Sequence, residues 1–294
     1  MLRVVFYGTS RLSVQTLEAL VKDTTLSVVG VVTQPDRPVG RKQVLTPPPI
    51  KEAALRFNLP VFQFEQVKSD EAYEQLKDLK ADVAVVASFG QIISQRVLDL
   101  YPRDVLNVHP SLLPAYRGAI PMTAAIRDGL TQTGVTIMLM DALMDHGPIL
   151  SQIIAPIEPT DTTETLSERL GQIGADLLVK TLHGYIDGTI SPQEQDHTKA
   201  TFVKLLSRTD GNIDWNQPAE VIERLIRAYT PWPGTSTDYK GKRLKVLRAH
   251  VVTEPQPDLL VMPCGNNTLL ALDEVQPEGK TPMTGSAFLH GQQR

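Results

Sequence analysis

The chain has 294 residues, 41% hydrophobic and 21% charged, with a formal net charge of −4, which fits one large or two smaller globular domains with a sizeable core. The acidic balance argues against a protein that coats nucleic acid non-specifically, yet it leaves room for a local basic face. With a single cysteine, Cys264, there is no intramolecular disulfide and no cysteine cluster for zinc; without a cationic, apolar leader or a long apolar run, the expected setting is the reduced cytoplasm.

The first half alternates short β-branched runs with amphipathic stretches. Residues 2–8 (LRVVFYG), 26–33 (LSVVGVVT), 82–88 (DVAVVAS) and 105–109 (VLNVH) are apolar on both faces, as strands buried between helices are. Residues 14–22, 49–57, 69–80 and 91–101 read as helices, so the pattern predicts an α/β fold with a doubly wound, mostly parallel, Rossmann-like sheet. The first strand runs into Gly8-Thr9-Ser10, which is not the GxGxxG turn. The second ends in Thr33-Gln34 without the acidic ribose partner, so no dinucleotide cofactor is expected. The turn reads as a helix cap by Ser10 or Ser13, with space left for part of a substrate.

Residues 34–49 (QPDRPVGRKQVLTPPP) form a long segment with five prolines and one glycine, expected to be a loop. Prolines limit the entropy lost when such a loop orders on a partner. Its cations Arg37, Arg41 and Lys42 suit phosphates.

Further on, the apolar run VLNV ends in NVHPSLLP, residues 107–114. On an extended segment Asn107, His109 and Ser111 project to the same side, at the strand end where open α/β sheets bind ligands. An amide donor beside an imidazole can hold a developing oxyanion and move a proton. The plainer reading is a strand-end histidine satisfied by its own fold. Two strand-like runs follow, 133–140 and 148–157, joined by DALMDHG. Asp145 in that connection could orient His109 and accept a proton, or simply close an Asx turn. No GxSxG elbow, HExxH or paired His/Cys spacing occurs, so no metal is expected.

A longer helix fills 162–188, and the composition then turns polar, proline-containing and aperiodic. This divides the chain into a first domain over 1–188, a linker over 189–206 and a second domain over 207–294. In the second domain a short amphipathic helix (219–229) precedes PWPG and a series of short strands, which suggests a small OB-like β-barrel. Lys240, Lys242, Arg243, Lys245 and Arg248 fall along one expected hairpin and offer a phosphate-binding face; alternatively they are lysines guarding a solvated edge. They do not alternate strictly, so one face is not expected to carry all five.

These residues resemble the N10-formyltetrahydrofolate-dependent formyltransferases. The likeness runs through N-x-H-x-SLLP-x-x-RG (Asn107 to Gly118) and GVTIMLMDALMDHG (Gly134 to Gly147). QPDRPVGR, GNIDWNQPAEVIERLIRAYTPWPG and VQPEGK extend it over nearly the whole chain. The resemblance implies that Asn107, His109 and Asp145 are the catalytic trio and that 10-formyltetrahydrofolate is the co-substrate. It further implies that the folate lies against Ser88, Phe89, Gly90, Gln91 and Ile92, with Ser111, Leu112, Leu113, Pro114, Met140 and Asp141 completing its surroundings. The basic segment and the second domain resemble members whose acceptor is methionine esterified to initiator tRNA, with Arg41 the leading contact. A nucleotide-sugar N-formyltransferase or a formyltetrahydrofolate hydrolase is the rival of the same chemistry, and an RNA-binding protein that has lost catalysis is the rival of another class. Monomer is the default state. Ala115, Leu143 and His146 stand where relatives usually carry a basic residue, a glycine and a threonine. The stretch between VVTEPQPD and CGNNTLLAL is shorter than in relatives.

Overall fold

The computed structural model describes residues 1–40 and 42–292, and the chain divides into two compact units. The first comprises Met1–Pro121, Thr133–Pro156 and Ser167–Val203; the second comprises Met122–Gln132, Ile157–Leu166 and Lys204–Arg294. No helix among the described residues is long and apolar enough to cross a membrane.

The first unit opens with β1 (Leu2–Gly8), α1 (Arg11–Lys22), β2 (Leu26–Thr33) and the short antiparallel pair β3 (Arg37–Val39) and β4 (Val44–Thr46). Then come α2 (Pro49–Arg56), β5 (Val61–Gln63), α3 (Asp70–Asp78), β6 (Val83–Ala87), α4 (Gln95–Leu98) and β7 (Val105–His109). After β8 (Arg117–Gly118) and α5 (Pro121–Arg127) follow β9 (Gln132–Leu139), β10 (Ile149–Pro156), α6 (Thr163–Ile186) and β11 (Phe202–Val203). The main sheet has seven strands in the order β10-β9-β7-β6-β1-β2-β5. Pairs from β5 through β7 are parallel and β9 runs antiparallel to β7, as a mostly parallel sheet with an antiparallel edge.

Burial explains why these strands carry no polar alternation. Val83–Ala87 and Val105–His109 are buried throughout. Val5 and Tyr7 join Val32, Ala72, Leu76, Val97 and Leu98 in one cluster, while Val4 and Phe6, on the opposite side of the same strand, are also fully buried. The segment read as a helix over 91–101 is helical only at Gln95–Leu98, with Ser94 at its N-cap position. Ser88 (φ 49°) and Gly90 (φ 82°) hold the preceding turn in left-handed conformations that a helix does not use. At the start of α1 the cap reading is corrected. Ser10 makes no side-chain cap; its hydroxyl donates to Ser88 Oγ at 2.9 Å, and Ser13 Oγ turns back onto Ser10 O at 2.5 Å.

The segment 34–49 is likewise not a structureless loop, because β3 and β4 pair within it. Its base is pinned where Lys51 Nζ meets Asp36 at 2.8 Å and Gln63 Nε2 donates to Asp36 Oδ1 at 2.7 Å. Nor is the stretch read as a linker free. Through residue 203 it belongs to the first unit, with Gln195 buried, Ile149 and Gln193 exchanging backbone hydrogen bonds, and β11 paired to β8.

The second unit contains α7 (Ala219–Ala228), β12 (Thr235–Tyr239), β13 (Lys242–Val252), β14 (Val261–Pro263), β15 (Leu269–Pro277), β16 (Met283–Thr284) and α8 (Gly285–Gln292). Its five strands form an antiparallel, barrel-like sheet in the order β12-β13-β15-β14, with β16 on β15. Ile222 and Ile226 of α7, four residues apart on one face, pack with Leu244, Val246, Leu270 and Leu272 in its core. Lys240 (φ 52°) and Gly241 (φ 76°) make the tight turn between β12 and β13.

Candidate active site

On β7 the alternation of a strand sends Asn107 and His109 to one side and Leu106 and Val108 to the other. Asn107 pairs in register with Val86 and with Met138; His109 pairs with Thr136. Both polar side chains are nearly sealed, at 8% and 4% exposure. His109 Nε2 lies 3.1 Å from Tyr116 O. A carbonyl only accepts, so Nε2 carries a proton and Nδ1 is the nitrogen left for chemistry. The Asn107 amide makes no hydrogen bond to another described residue and is not among the fully buried atoms left without a partner, so its polar end keeps a little exposure.

Asp145 comes from the connection between β9 and β10, yet its Oδ1 stands 3.6 Å from His109 Nδ1. That is beyond hydrogen-bond length; protonation of Nδ1 would make the contact an ion pair. Its other oxygen accepts from Gly118 N at 2.7 Å, which fixes the carboxylate by a backbone donor adjoining the SLLP turn. Asp145 itself sits at φ 48°, a conformation that disfavours any side chain bearing a Cβ. The structure therefore brings Asn107 and His109, from one strand, and Asp145, from one loop, into one locality.

Ser111 does not share in it. Its hydroxyl donates to Ala115 O at 2.7 Å and its carbonyl accepts from Thr136 Oγ1 at 2.6 Å, so it holds the turn. Leu113 is tied through both backbone groups, its N–H to Thr136 Oγ1 and its carbonyl to Gln152 Nε2, while Leu112 and Pro114 are half-buried. In the segment 88–92, Ser88, Gly90 and Ile92 are exposed, the last at 80%. Phe89 is instead buried edge-on to Tyr7, and Gln91 is spent on Phe64 O and Val67 N. Met140 packs against the core, and Asp141 bonds Leu143 N and His146 Nδ1. Among the described residues no group of three or more His, Cys, Asp or Glu is placed to hold a metal ion.

Arg41 lies outside the described residues. Of its neighbours, Arg37 meets Glu65 at 2.6 Å on the surface and Lys42 is exposed without an ion pair among the described residues. In the second unit the strict alternation of β13 is broken by register shifts around Arg248. Leu244 and Val246 point inward and Arg243 and Lys245 outward; the irregularity then turns Arg248 outward again and Ala249 inward. Three cations thus share one face, with Lys240 and Lys242 at the adjoining turn, although Arg248 has Asp273 at 4.0 Å.

Three further polar residues lie around this locality, and the sequence assigned a role to none of them. Arg117 belongs to the RG of the motif and is 3% exposed, with its guanidinium on Gln195 Oε1 at 2.7 Å and His197 Nδ1 at 2.9 Å. Gln195 and His197 fall in an aperiodic polar stretch, where nothing local distinguishes a buried glutamine from a solvated one.

The formyl transferase profile matches residues 2–182, and the formyl transferase C-terminal domain profile matches residues 205–293. A Roseiflexus sp. (strain RS-1) protein named methionyl-tRNA formyltransferase is 48% identical over 99% of this chain and 92% of its own length. A Bacillus subtilis (strain 168) protein of the same name is 42% identical over 99% and 95%. Among solved structures, an N-formyltransferase from Helicobacter canadensis, in complex with folinic acid and dTDP-3-aminofucose, superposes with a TM-score of 0.70 at 18% identity. That match covers 94% of this chain and 100% of that one, and it speaks for the fold.

Proposed function

Because the chain belongs to the formyltransferase family in both its N-terminal and its C-terminal domain, we propose that it moves the formyl group of 10-formyltetrahydrofolate to the α-amine of methionine on initiator tRNA, giving N-formylmethionyl-tRNA. The acceptor rests on relatives of that name along the full chain. The chemistry rests on one observation, His109 Nδ1 and Asp145 Oδ1 at 3.6 Å beside an Asn107 amide with no partner among the described residues.

When bound, the folate supplies an electrophilic formyl carbon and, in N10, the nitrogen that leaves. Asn107 donates its amide hydrogens to the oxygen that becomes negative as the amine adds, and His109 protonated at Nδ1 donates a second bond. Donors already aimed and shielded from water contribute about 2 to 4 kcal/mol each to such a transition state. Asp145 takes the proton that the amine loses on forming the new C–N bond. His109 Nδ1 returns a proton to N10 as the old C–N bond breaks and the oxygen's electron pair restores the carbonyl. Proton count is thereby conserved, with no covalent attachment to the chain.

Ser88, Gly90 and Ile92, exposed on a turn held open by positive φ, offer the folate a surface. Lys42 on the β3–β4 hairpin and the outward cations of β13 offer the tRNA a phosphate-binding surface, in keeping with recognition by charge on an acidic protein. Arg41, next to Lys42 in the sequence, is a further cation offered to the tRNA. The setting is the cytoplasm, and the working unit is a monomer.

The test is incubation with labelled formylfolate and either charged initiator tRNA or a nucleotide amino-sugar. Label on the methionyl amine is the expected result, and label on the sugar alone would overturn the assignment.

A further inference from the structure

We propose that Gln195, backed by Arg117, is a positioning residue that sets the Asp145 carboxylate for proton transfer. The Gln195 amide is 5% exposed and fully used. Its Nε2 donates to Asp145 O at 2.9 Å and to Gly147 O at 2.7 Å, and its Oε1 accepts from Arg117 Nη2 at 2.7 Å. A guanidinium only donates, so Arg117 dictates which end of the amide is oxygen and leaves the NH₂ facing the two carbonyls. The orientation is fixed by chemistry and not by a choice of amide flip.

What Gln195 grips is the part of the loop that cannot hold itself. Asp145 sits at φ 48°, a left-handed conformation costing a residue with a Cβ free energy that the surroundings must offset. The amide bonds the carbonyl of that residue and, two positions on, the carbonyl of Gly147. A Cβ on Gly147 would come within 2.2 Å of Leu139 O, so the loop there already presses against β9. With the Asp145 backbone held on one side by Gln195 and its Oδ2 held on the other by Gly118 N at 2.7 Å, Oδ1 is left directed at His109.

A second tie comes from the same short segment and the same guanidinium. His197 Nδ1 accepts from Arg117 Nη2 at 2.9 Å, which makes Nε2 its protonated nitrogen when neutral. The ring then stacks on His146, with centroids 4.1 Å apart and planes within 5°. His146 follows Asp145 directly and is itself fixed by Asp141 Oδ2 at 2.7 Å. Residues 195 and 197 thus hold residues 145, 146 and 147 through backbone and ring, and Arg117 anchors both. The guanidinium is 3% exposed and has no carboxylate partner among the described residues, a placement that stability alone does not favour.

The inference rests on the formyl-transfer reading, so wild-type transfer to methionyl-tRNA is established first; its absence would sink that reading and not this one. Gln195→Glu keeps the shape and a partner for Arg117 but removes both donors to the loop carbonyls. We expect kcat to fall about tenfold to a hundredfold, in line with an ångström-scale misplacement of a catalytic group, with KM for folate and tRNA within twofold. In an Asp145→Asn background the same substitution should change kcat by less than twofold, because a group acting only through Asp145 has nothing left to act on. A single-variant kcat within threefold of wild type, or a full additive loss in the double variant, overturns the proposal. Should Gln195→Glu lower the thermal midpoint enough to obscure kinetics, Arg117→Met carries the same test. It removes the one nitrogen, Nη2, that donates to both Gln195 Oε1 and His197 Nδ1, and its kcat loss should likewise vanish in the Asp145→Asn background, an additive loss again being fatal.

Discussion

In the proposed transfer Asp145 takes the proton of the attacking amine; one of its oxygens accepts from Gly118 N and the other faces the His109 imidazole at 3.6 Å. Asp145→Asn keeps the shape and removes the proton acceptor. Turnover should fall by about two orders of magnitude or more while tRNA affinity stays within twofold; steady-state kinetics beside filter binding decide it, and near-normal turnover would remove Asp145 from the mechanism. Asp196, next to Gln195 in the chain, precedes the turn that carries His197. Hydrogen bonds from Thr198 and Lys199 hold its carboxyl down at about 2. A folded-state value below the unfolded one means that this contribution is present above about pH 4 and is lost as the pH falls through about 2. Carboxyl-carbon NMR should show Asp196 titrating near 2, with the Thr198 amide moving in step. Asn107 and His109 are conspicuous in the sequence as polar groups ending an apolar strand, whereas Asp145, on a connecting loop, reads equally as an Asx-turn residue until the family resemblance singles it out. Ser111, equally conspicuous, turned out to serve Ala115 O. Gln195 was invisible, because only long-range packing tells a buried glutamine from a solvated one.

Elements were legible where periodicity was long and misread where conformation was set by a few residues. The buried strands β1, β2, β6 and β7 announced themselves as apolar runs. The expected helix over 91–101 shrank to Gln95–Leu98, with Ser94 extended (φ −73°, ψ 155°) at its N-cap. The segment 34–49 closes as a hairpin of three-residue strands, too short to show a period of two. That hairpin divides its cations. Arg37 is neutralised by Glu65, whereas Lys42 stands exposed. Lys42→Ala should raise the tRNA KM about threefold to tenfold and Arg37→Ala about twofold or less, with folate KM unchanged in both. An equal effect of the two on tRNA and folate would mean that the hairpin serves the active site at large.

At the scale of the molecule, the net charge of −4 coexists with a cationic face built by a register shift in β13. Strict alternation, which is all that a sequence pattern can assume, would have turned Arg248 toward the core. Four or five phosphate contacts from this face and the hairpin should give tRNA affinity a log–log salt slope of about −3 to −4. Folate KM should stay nearly flat over the same range, and a flat tRNA response would remove the face from tRNA binding. The polar composition at 189–206 reads as a boundary, but buried Gln195 and the β11–β8 pair draw its first part into the first unit.

The second unit also takes in residues 122–132 and 157–166 from far upstream. Within it, Thr163 Oγ1 donates to Ala228 O at 2.6 Å, Arg227 Nη1 donates to Asp161 O at 2.8 Å, and Ile157 N bonds Thr131 O at 2.9 Å. The peptide bond between Val203 and Lys204 is therefore no seam. A single protease nick there should leave a species that still elutes from gel filtration as one particle and separates only in denaturant. Gene truncation at the same point should yield not a free-standing first domain but an insoluble one, its upstream segments stripped of the chain they were woven into.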